Sequence, residues 1–213
     1  MNRIIANLAA AAVGLSVAVL GGCGKGDEKF RAQLDPVVAR ITQKASDAAA
    51  LTGGASAETL ERTTALLTDL AGLGADLKSL YVDGEKQQGF VNAGQAYLSA
   101  TQRFVTAQQE FARAYARLEA ARVKVRDSLD AKVRTSKFSM DFWKESHDRL
   151  VKELDNVRTE CEKLRERVTQ ATNGLQQSAD AAGTLLGRNA LIPLAKLEAH
   201  RKALAAVPLE KGA

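Results

Sequence analysis

The sequence predicts an all-α protein, and three observations lead to that prediction. Residues 95–173 contain neither glycine nor proline, whereas β-rich folds need frequent turn residues. Apolar side chains recur through this stretch at helical spacing. Alanine and leucine dominate the composition, and aromatic residues are few. We therefore predict a helical-bundle base from which a long antiparallel coiled-coil hairpin extends.

The early helices are bounded by residues that cap or break helices. Asp35 and Pro36 resemble an N-cap followed by proline at the first helical position, although a start near Phe30 is the alternative. The Gly-Gly pair at 53–54 ends this helix. Ser56 can cap a second helix, whose leucines follow helical spacing: Leu60, Leu67, Leu70, Leu77 and Leu80.

Two long apolar series follow the turn at residues 83–84. The first recurs every seven residues: Phe90, Tyr97, Phe104, Phe111, Leu118 and Val125. The second alternates steps of three and four, as coiled coils do: Met140, Trp143, His147, Leu150, Leu154, Val157, Cys161, Leu164, Val168, Ala171 and Leu175. A short last helix, after a break at 187–189, carries Leu194, Leu197 and Leu204.

The width of the first apolar series predicts where the bundle stops. A second apolar row, from Val91 to Ala112, accompanies it in steps of seven and ends at Glu119. A face of two rows is wide enough to pack against several helices, whereas one row suits a two-helix seam. We expect the short helices to cover the base, and a narrower two-helix arm to span about residues 119–153.

The two long series differ in phase by four residues across 132–143. A hairpin turn near Ser136 explains this break and buries both series within one chain, with Val125 opposite His147. One uninterrupted helix could absorb the break as a stutter. The seam could also pair between two chains and so produce a homodimer.

The N-terminus has the features of an export signal. Arg3 is followed by an uncharged apolar run that ends at Cys23, and charged residues begin at once thereafter. The residues before Cys23, Leu20-Gly21-Gly22, resemble the lipobox of bacterial lipoprotein signal peptides. That resemblance covers residues 1–23. It implies that Cys23 receives a diacylglyceryl group, becomes the first residue after cleavage and is usually acylated again, for example with palmitate.

The alternative for this junction is a plain secretory signal that ends at an incidental cysteine. The string GGCGKG lacks the spacing and the hydroxyl residue of a phosphate-binding loop, so that motif is excluded. By resemblance to lipoproteins, Gly24 instead of aspartate favours the outer membrane, on its periplasmic face, if the cell is Gram-negative.

These features divide the chain into four segments. We assign residues 1–22 to the signal peptide and 23–29 to a lipidated tether. Residues 30–206 form a single elongated helical domain, and 207–213 a tail. Two or more lipid chains give stable anchoring, so the domain needs no transmembrane helix.

The residues that could carry out chemistry fit structural roles better. Cys161 occupies a slot of the apolar series, which suits a small buried residue more than a redox thiol. His147 lies on the same series, and no cysteine or carboxylate set near it has metal-ligand spacing. Asp141, Glu145 and Asp148 each have a basic residue four positions away, as solvated helix surfaces do. We predict no enzyme activity, no metal and no cofactor.

Charge and aromatic side chains concentrate near the predicted turn. Residues 122–152 hold nine basic and five acidic residues. Nucleic acid is an improbable partner for an exported protein, so an envelope protein or an anionic envelope surface is expected; solvation of a helical arm is the simpler reading. Two helices cannot cover every aromatic side chain near the turn. The candidate contact residues are Lys132, Arg134, Lys137, Phe138, Phe142 and Lys144.

The sequence therefore favours a lipid-anchored, non-enzymatic scaffold or binding module of the cell envelope. The alternative is a periplasmic inhibitor or immunity-type protein that binds and blocks an enzyme. No motif decides between them, but an inhibitor should capture one soluble enzyme stoichiometrically.

Overall fold

The computed structural model describes residues 25–51, 57–132, 140–188 and 191–209. Every regular element within these ranges is a helix, so the all-α prediction is confirmed. The predicted lipobox, the cap at Ser56 and the turn near Ser136 lie outside the described residues. The helices are α1 (Lys25–Ala50), α2 (Ala57–Ser79), α3 (Glu85–Lys132), α4 (Met140–Leu185) and α5 (Leu194–Ala205).

The first helix begins earlier than its caps suggested. α1 starts at Lys25 and contains Pro36, so the prediction of an N-cap at Asp35 is wrong. The missing N–H of Pro36 removes one helical hydrogen bond, but Phe30 and Leu34 in the preceding turns are buried in the core. Burial of each such side chain contributes about 1.5–3 kcal/mol, which favours helix on both sides of the proline. Helix also replaces most of the tether assigned to 23–29.

α1 runs parallel to the central helix α3. Lys86 Nζ and Asp27 Oδ2 form an ion pair of 2.7 Å at the start of both helices. Near the other end of α1, Gln108 Nε2 donates a hydrogen bond of 3.0 Å to the carbonyl oxygen of Ala48. Residue numbers therefore rise together along the two helices, and their N-termini lie at the same end of the molecule.

α2 runs antiparallel to α3 on another side of it. Gln109 Nε2 donates a hydrogen bond of 2.8 Å to Thr64 Oγ1. Farther along α2, the backbone of Gly74 approaches Leu98, so residue numbers run in opposite directions. The turn between α2 and α3 includes Gly84, whose φ of 104° is a conformation that favours glycine. This turn lies at the same end as the start of α1.

α4 runs antiparallel to α3 along almost its whole length. Three ion pairs cross between the two helices: Glu110–Arg167 at 3.2 Å, Arg117–Glu160 at 2.6 Å and Lys124–Glu153 at 3.1 Å. On one uninterrupted straight helix the last pair would lie about 43 Å apart. These contacts exclude the single-helix alternative. The turn itself stays a prediction because residues 133–139 lie outside the described ones.

The two apolar rows of α3 are buried, as predicted. Phe90, Tyr97, Phe104, Phe111 and Leu118 are all buried, and so is the parallel row from Val91 to Ala112, whereas Glu119 is exposed. α1, α2 and α5 cover this face together with α4. The predicted bundle base is therefore present up to about residue 122 of α3.

α5 and the residues after it close the remaining side of the base. Lys196 Nζ lies 3.3 Å from Ser46 Oγ on α1, and Arg201 donates a 2.8 Å hydrogen bond to Gln176 on α4. Val207 and Leu209 are buried, so packing extends three residues into the segment assigned to the tail. The carbonyl oxygen of Pro208 accepts a hydrogen bond from Arg122 at 3.2 Å.

Beyond Arg122 the protein narrows to two helices. Residues 123–132 of α3 and the start of α4 pack against each other: Lys124 Nζ lies 3.1 Å from Glu153 Oε1, and Trp143 Nε1 donates to the Ser128 carbonyl oxygen. Val123 and Leu129 are accordingly exposed. We call residues 123–132 and 140–157 the arm, and its far end, around Lys132 and Met140, the tip.

Candidate functional site

Trp143 holds the two helices of the arm together near the tip. Its indole Nε1 donates a hydrogen bond of 2.8 Å to the carbonyl oxygen of Ser128. The ring stacks on His147 with centroids 4.9 Å apart, and Lys132 Nζ lies 5.1 Å from the centroid of the indole ring. Trp143 is half-buried by these contacts. Its role is thus to close the seam, and it offers a partner only part of its ring.

Phe142, by contrast, points away from the seam. Its side chain is 74% exposed, although it is one of the largest apolar side chains of the arm. An open groove of about 530 Å³ lies beside it between α3 and α4. The groove is lined by Lys124, Asp127, Ser128, Ala131, Phe142, Trp143, Ser146 and Leu150. Small side chains are part of this lining, beside the apolar Phe142, Trp143 and Leu150.

Ser128, Ala131 and Ser146 are the small residues of this lining, and the sequence analysis did not predict them. Each stands where the seam spacing would admit a large apolar residue, or one position beside it. Small residues at or beside seam positions of two predicted helices are the signal that could have revealed the groove. It becomes informative only when both helices are placed side by side.

Positive charge does not extend over the arm as a whole. The described arm residues hold six basic and seven acidic side chains, which nearly balance. In the sequence from 130 to 141, three side chains are basic and two are acidic, and two of the basic ones, Arg134 and Lys137, lie outside the described residues. Lys144 Nζ lies 3.8 Å from Asp141 Oδ1 on the exposed surface. A contact between two such exposed groups contributes little to stability.

The structure places only part of the predicted contact set. Lys132, Phe142 and Lys144 lie at the tip, on the described parts of α3 and α4. Lys132 is directed at the indole of Trp143, while Phe142 and Lys144 are exposed. Arg134, Lys137 and Phe138 fall in residues 133–139, outside the described ranges. The lipidation site Cys23 and the lipobox residues Leu20, Gly21 and Gly22 also precede the first described residue.

Cys161 and His147 have the environments of packing residues. The Cys161 side chain is buried in the core, and burial raises the pKa of its thiol to about 11. A thiol of this kind stays protonated and is a poor nucleophile. His147 Nδ1 lies 3.2 Å from Ser128 Oγ in the seam. The described residues contain no cluster of three or more His, Cys, Asp or Glu side chains able to hold a metal ion.

Several grooves of the base are open and lined partly by charged side chains. One of about 660 Å³ lies between α4 and residues 205–209 and contains Arg158, Glu162 and Arg165. Arg158 Nε lies 3.8 Å from Glu162 Oε1, so much of this charge is compensated within the protein.

No helix in the described part of the chain is long and apolar enough to cross a membrane.

Comparison of the chain with protein-family models, with curated proteins and with solved structures finds no match. The fold and the tip therefore define the protein only as a class: an elongated all-α bundle from which a two-helix arm extends. Its function has to be argued from the geometry of that arm.

Proposed function

We propose that the protein is a lipid-anchored, non-enzymatic binding module of the bacterial cell envelope, whose arm carries the contact site for an acidic envelope protein. The single observation that supports this most is Phe142, exposed beside an open groove at the tip. Exposed aromatic side chains next to a pocket are typical anchors of protein interfaces. The signal-like N-terminus with Cys23 supports the anchoring.

The position of the tip favours a partner some distance from the anchoring membrane. α1 starts where α3 starts, and the tip lies at the opposite end of α3. α3 has 48 residues. At about 1.5 Å per residue, such a helix is about 70 Å long. A lipid on Cys23 would hold one end of the molecule at the bilayer, so an upright molecule would present Phe142 far from it.

The charge at the tip favours an acidic surface on that partner. Residues 130–141 carry three basic and two acidic side chains, a small excess of positive charge, and Phe142 provides the apolar anchor. Apolar contacts supply most of the affinity at such interfaces, while charge complementarity accelerates association and selects the partner. The groove beside Phe142 offers a place where an apolar side chain of the partner can insert.

The test compares capture of proteins from detergent-solubilised envelopes by full-length variants. Phe142→Ser removes the proposed anchor, and Leu194→Ser is the matched control because Leu194 is exposed on α5, in the base. We expect one envelope protein to be captured by the wild type and by the control. Phe142→Ser should reduce its capture about tenfold or more, as loss of an interface anchor does. The melting temperature should stay nearly unchanged.

Three outcomes would contradict the proposal. Capture that is unchanged by Phe142→Ser, or lost equally with Leu194→Ser, places the contact elsewhere. Contact of the tip with anionic vesicles that Phe142→Ser removes, with no captured protein, assigns the tip to a lipid surface. Stoichiometric capture of one soluble enzyme, with loss of that enzyme's activity, identifies an inhibitor.

A further inference from the structure

The end of the molecule opposite the tip carries an exposed aromatic side chain, Tyr81. α1 and α3 both begin there, and the turn between α2 and α3 lies beside them. Tyr81, in this turn, is 81% exposed. Among the described residues, Tyr81 and Phe142 are the two most exposed large apolar side chains, and they lie at opposite ends of the protein.

The start of α1 is fixed firmly to this end. Asp27 pairs with Lys86, and the hydrogen bond from Lys86 lowers the pKa of the Asp27 carboxyl. Phe30 stacks on Phe90 with ring centroids 6.5 Å apart, and the Arg31 guanidinium lies 4.9 Å from the centroid of the same Phe90 ring. These contacts begin within the first turn or two of α1. No flexible segment therefore separates the bundle from residue 25.

We propose that Tyr81, together with Lys78, forms a basal surface that lies in the headgroup region of the membrane holding the lipid on Cys23. This inference rests on the proposed lipid anchoring. Only Gly24 separates Cys23 from the helix that starts at Lys25. Two residues of extended chain span at most about 7 Å. The basal surface is thus held at the level of the lipid headgroups.

The residue types of the basal surface suit that environment. Tyrosine is enriched where membranes meet water, because its ring is apolar and its hydroxyl group is polar. Lysine side chains can extend along such an interface and place their ammonium groups among lipid phosphates. Lys78 is exposed in the last turn of α2, next to the turn that carries Tyr81. Lys86 is paired with Asp27, and Asp83 and Glu85 are exposed in the same turn, so Tyr81 is the part of this surface that best suits the interface.

The consequence for orientation is that the bundle stands on the membrane. An anchor at one point would let the molecule tilt freely. A second contact through Tyr81 restricts the tilt, because α1 and α3 are parallel and both start at the basal surface. The tip is then directed away from the bilayer, as the proposed function requires.

The experiment measures the depth of two tryptophan positions in the full lipidated protein. The protein is purified from membranes, the mass of its N-terminus is measured, and it is reconstituted into vesicles with lipids brominated near the headgroup. Trp143→Phe removes the only natural tryptophan. Tyr81→Trp or Phe142→Trp is then added as a matched pair. We expect the brominated lipid to quench the fluorescence of the Tyr81→Trp protein at least twofold and to leave that of the Phe142→Trp protein unchanged.

The outcomes distinguish failure of the basal surface from failure of the proposed lipid anchoring on which it rests. Quenching at neither position, or equal quenching at both, overturns the basal surface even though Cys23 carries lipid. The second pattern would mean that the molecule lies flat. An N-terminal mass without lipid overturns the anchoring, and with it the basal surface.

Discussion

His200 shows how a single residue can couple this fold to pH. Its side chain is 2% exposed and packs edge-on against Phe104, with ring centroids 5.1 Å apart. Gln108 Nε2 donates to the Ala48 carbonyl oxygen and lies 3.4 Å from His200 Nε2. An amide nitrogen can only donate, so His200 Nε2 accepts and the imidazole is neutral. Burial lowers the pKa of His200, and the nearby Ala49 backbone opposes this shift only in part.

This environment predicts a loss of stability in mild acid. His200 binds a proton more readily in the unfolded chain than in the folded protein. The free energy of unfolding is therefore highest above a pH of about 6.5 and decreases as the pH falls below that value. The decline is at most about 1.4 kcal/mol at pH 5.5. It should appear as a melting temperature a few degrees lower at pH 5.5 than at pH 7.5.

Two variants identify the source of this pH dependence. His200→Gln should reduce the difference between the two melting temperatures, whatever its own stability. His147→Gln removes the other histidine of the chain and should leave the difference in place. An equal difference in the His200→Gln protein would contradict the assignment.

The sequence could not have revealed this cluster. His147 falls on a periodic apolar series, so the sequence places it in the seam. His200 lies on a short helix whose apolar residues show only weak periodicity. Gln108 and His200 are 92 residues apart. Only the packing of α1, α3 and α5 brings them together. Buried polar contacts of this kind depend on tertiary structure, and local spacing does not predict them.

At the scale of helices, glycines record how closely α2 and α3 approach. A methyl group added to Gly94 would lie 3.3 Å from Leu77 Cδ2 and 3.9 Å from Leu34 Cδ1. One added to Gly72, also in a helix, would meet nothing within 4 Å. Both positions would gain the higher helix propensity of alanine, but only Gly94 would be crowded.

We therefore expect Gly72→Ala to stabilise the protein by about 0.5–1 kcal/mol. Gly94→Ala should stabilise it less, or destabilise it, because Leu77 has to move. Urea denaturation of both variants measures the difference. A gain at Gly94 equal to that at Gly72 would mean that the α2–α3 interface is looser than the distances indicate.

Among the helices, the periodic spacing of apolar residues predicted more of the structure than the helix-capping and helix-breaking residues did. The seven-residue series and the series of three and four both lie on buried or half-buried faces, because burial of a stripe is what spacing encodes. The cap at Asp35 was wrong, since core packing outweighs one missing hydrogen bond at Pro36. The register of the seam stays a prediction: Ser128, three residues beyond Val125, contacts both Trp143 and His147. Repeating spacings fit several registers equally well.

At the scale of the whole molecule, the parallel arrangement of α1 and α3 was beyond reach of the sequence. Periodicity gives the face of a helix but not its direction relative to a neighbour. The contacts Asp27–Lys86 and Ala48–Gln108 fix that direction and place residue 25 at the end opposite Phe142. The aromatic tip could be anticipated from sequence, but its distance from the start of the chain could not.

Anchoring at Cys23 can be tested on the whole protein. We expect Cys23→Ser to leave the chain without lipid and uncleaved, because the thiol is the group that is alkylated. Mass spectrometry of the N-terminus measures this directly. Membrane fractionation is a weaker measurement, since the uncleaved apolar run would still associate with membranes. A wild-type N-terminus before residue 23, or an unmodified Cys23, would contradict the prediction.

The length of α3 makes the tip sensitive to small movements at the other end. No glycine or proline interrupts α3 between Gly94 and Lys132, so the helix has no intrinsic hinge over that distance. A rigid segment of about 57 Å that pivots by about 10° at its base displaces its far end by about 10 Å. That displacement is close to the diameter of a helix. The range of tilt at the base of α3 therefore determines how far the arm can move sideways to reach a partner.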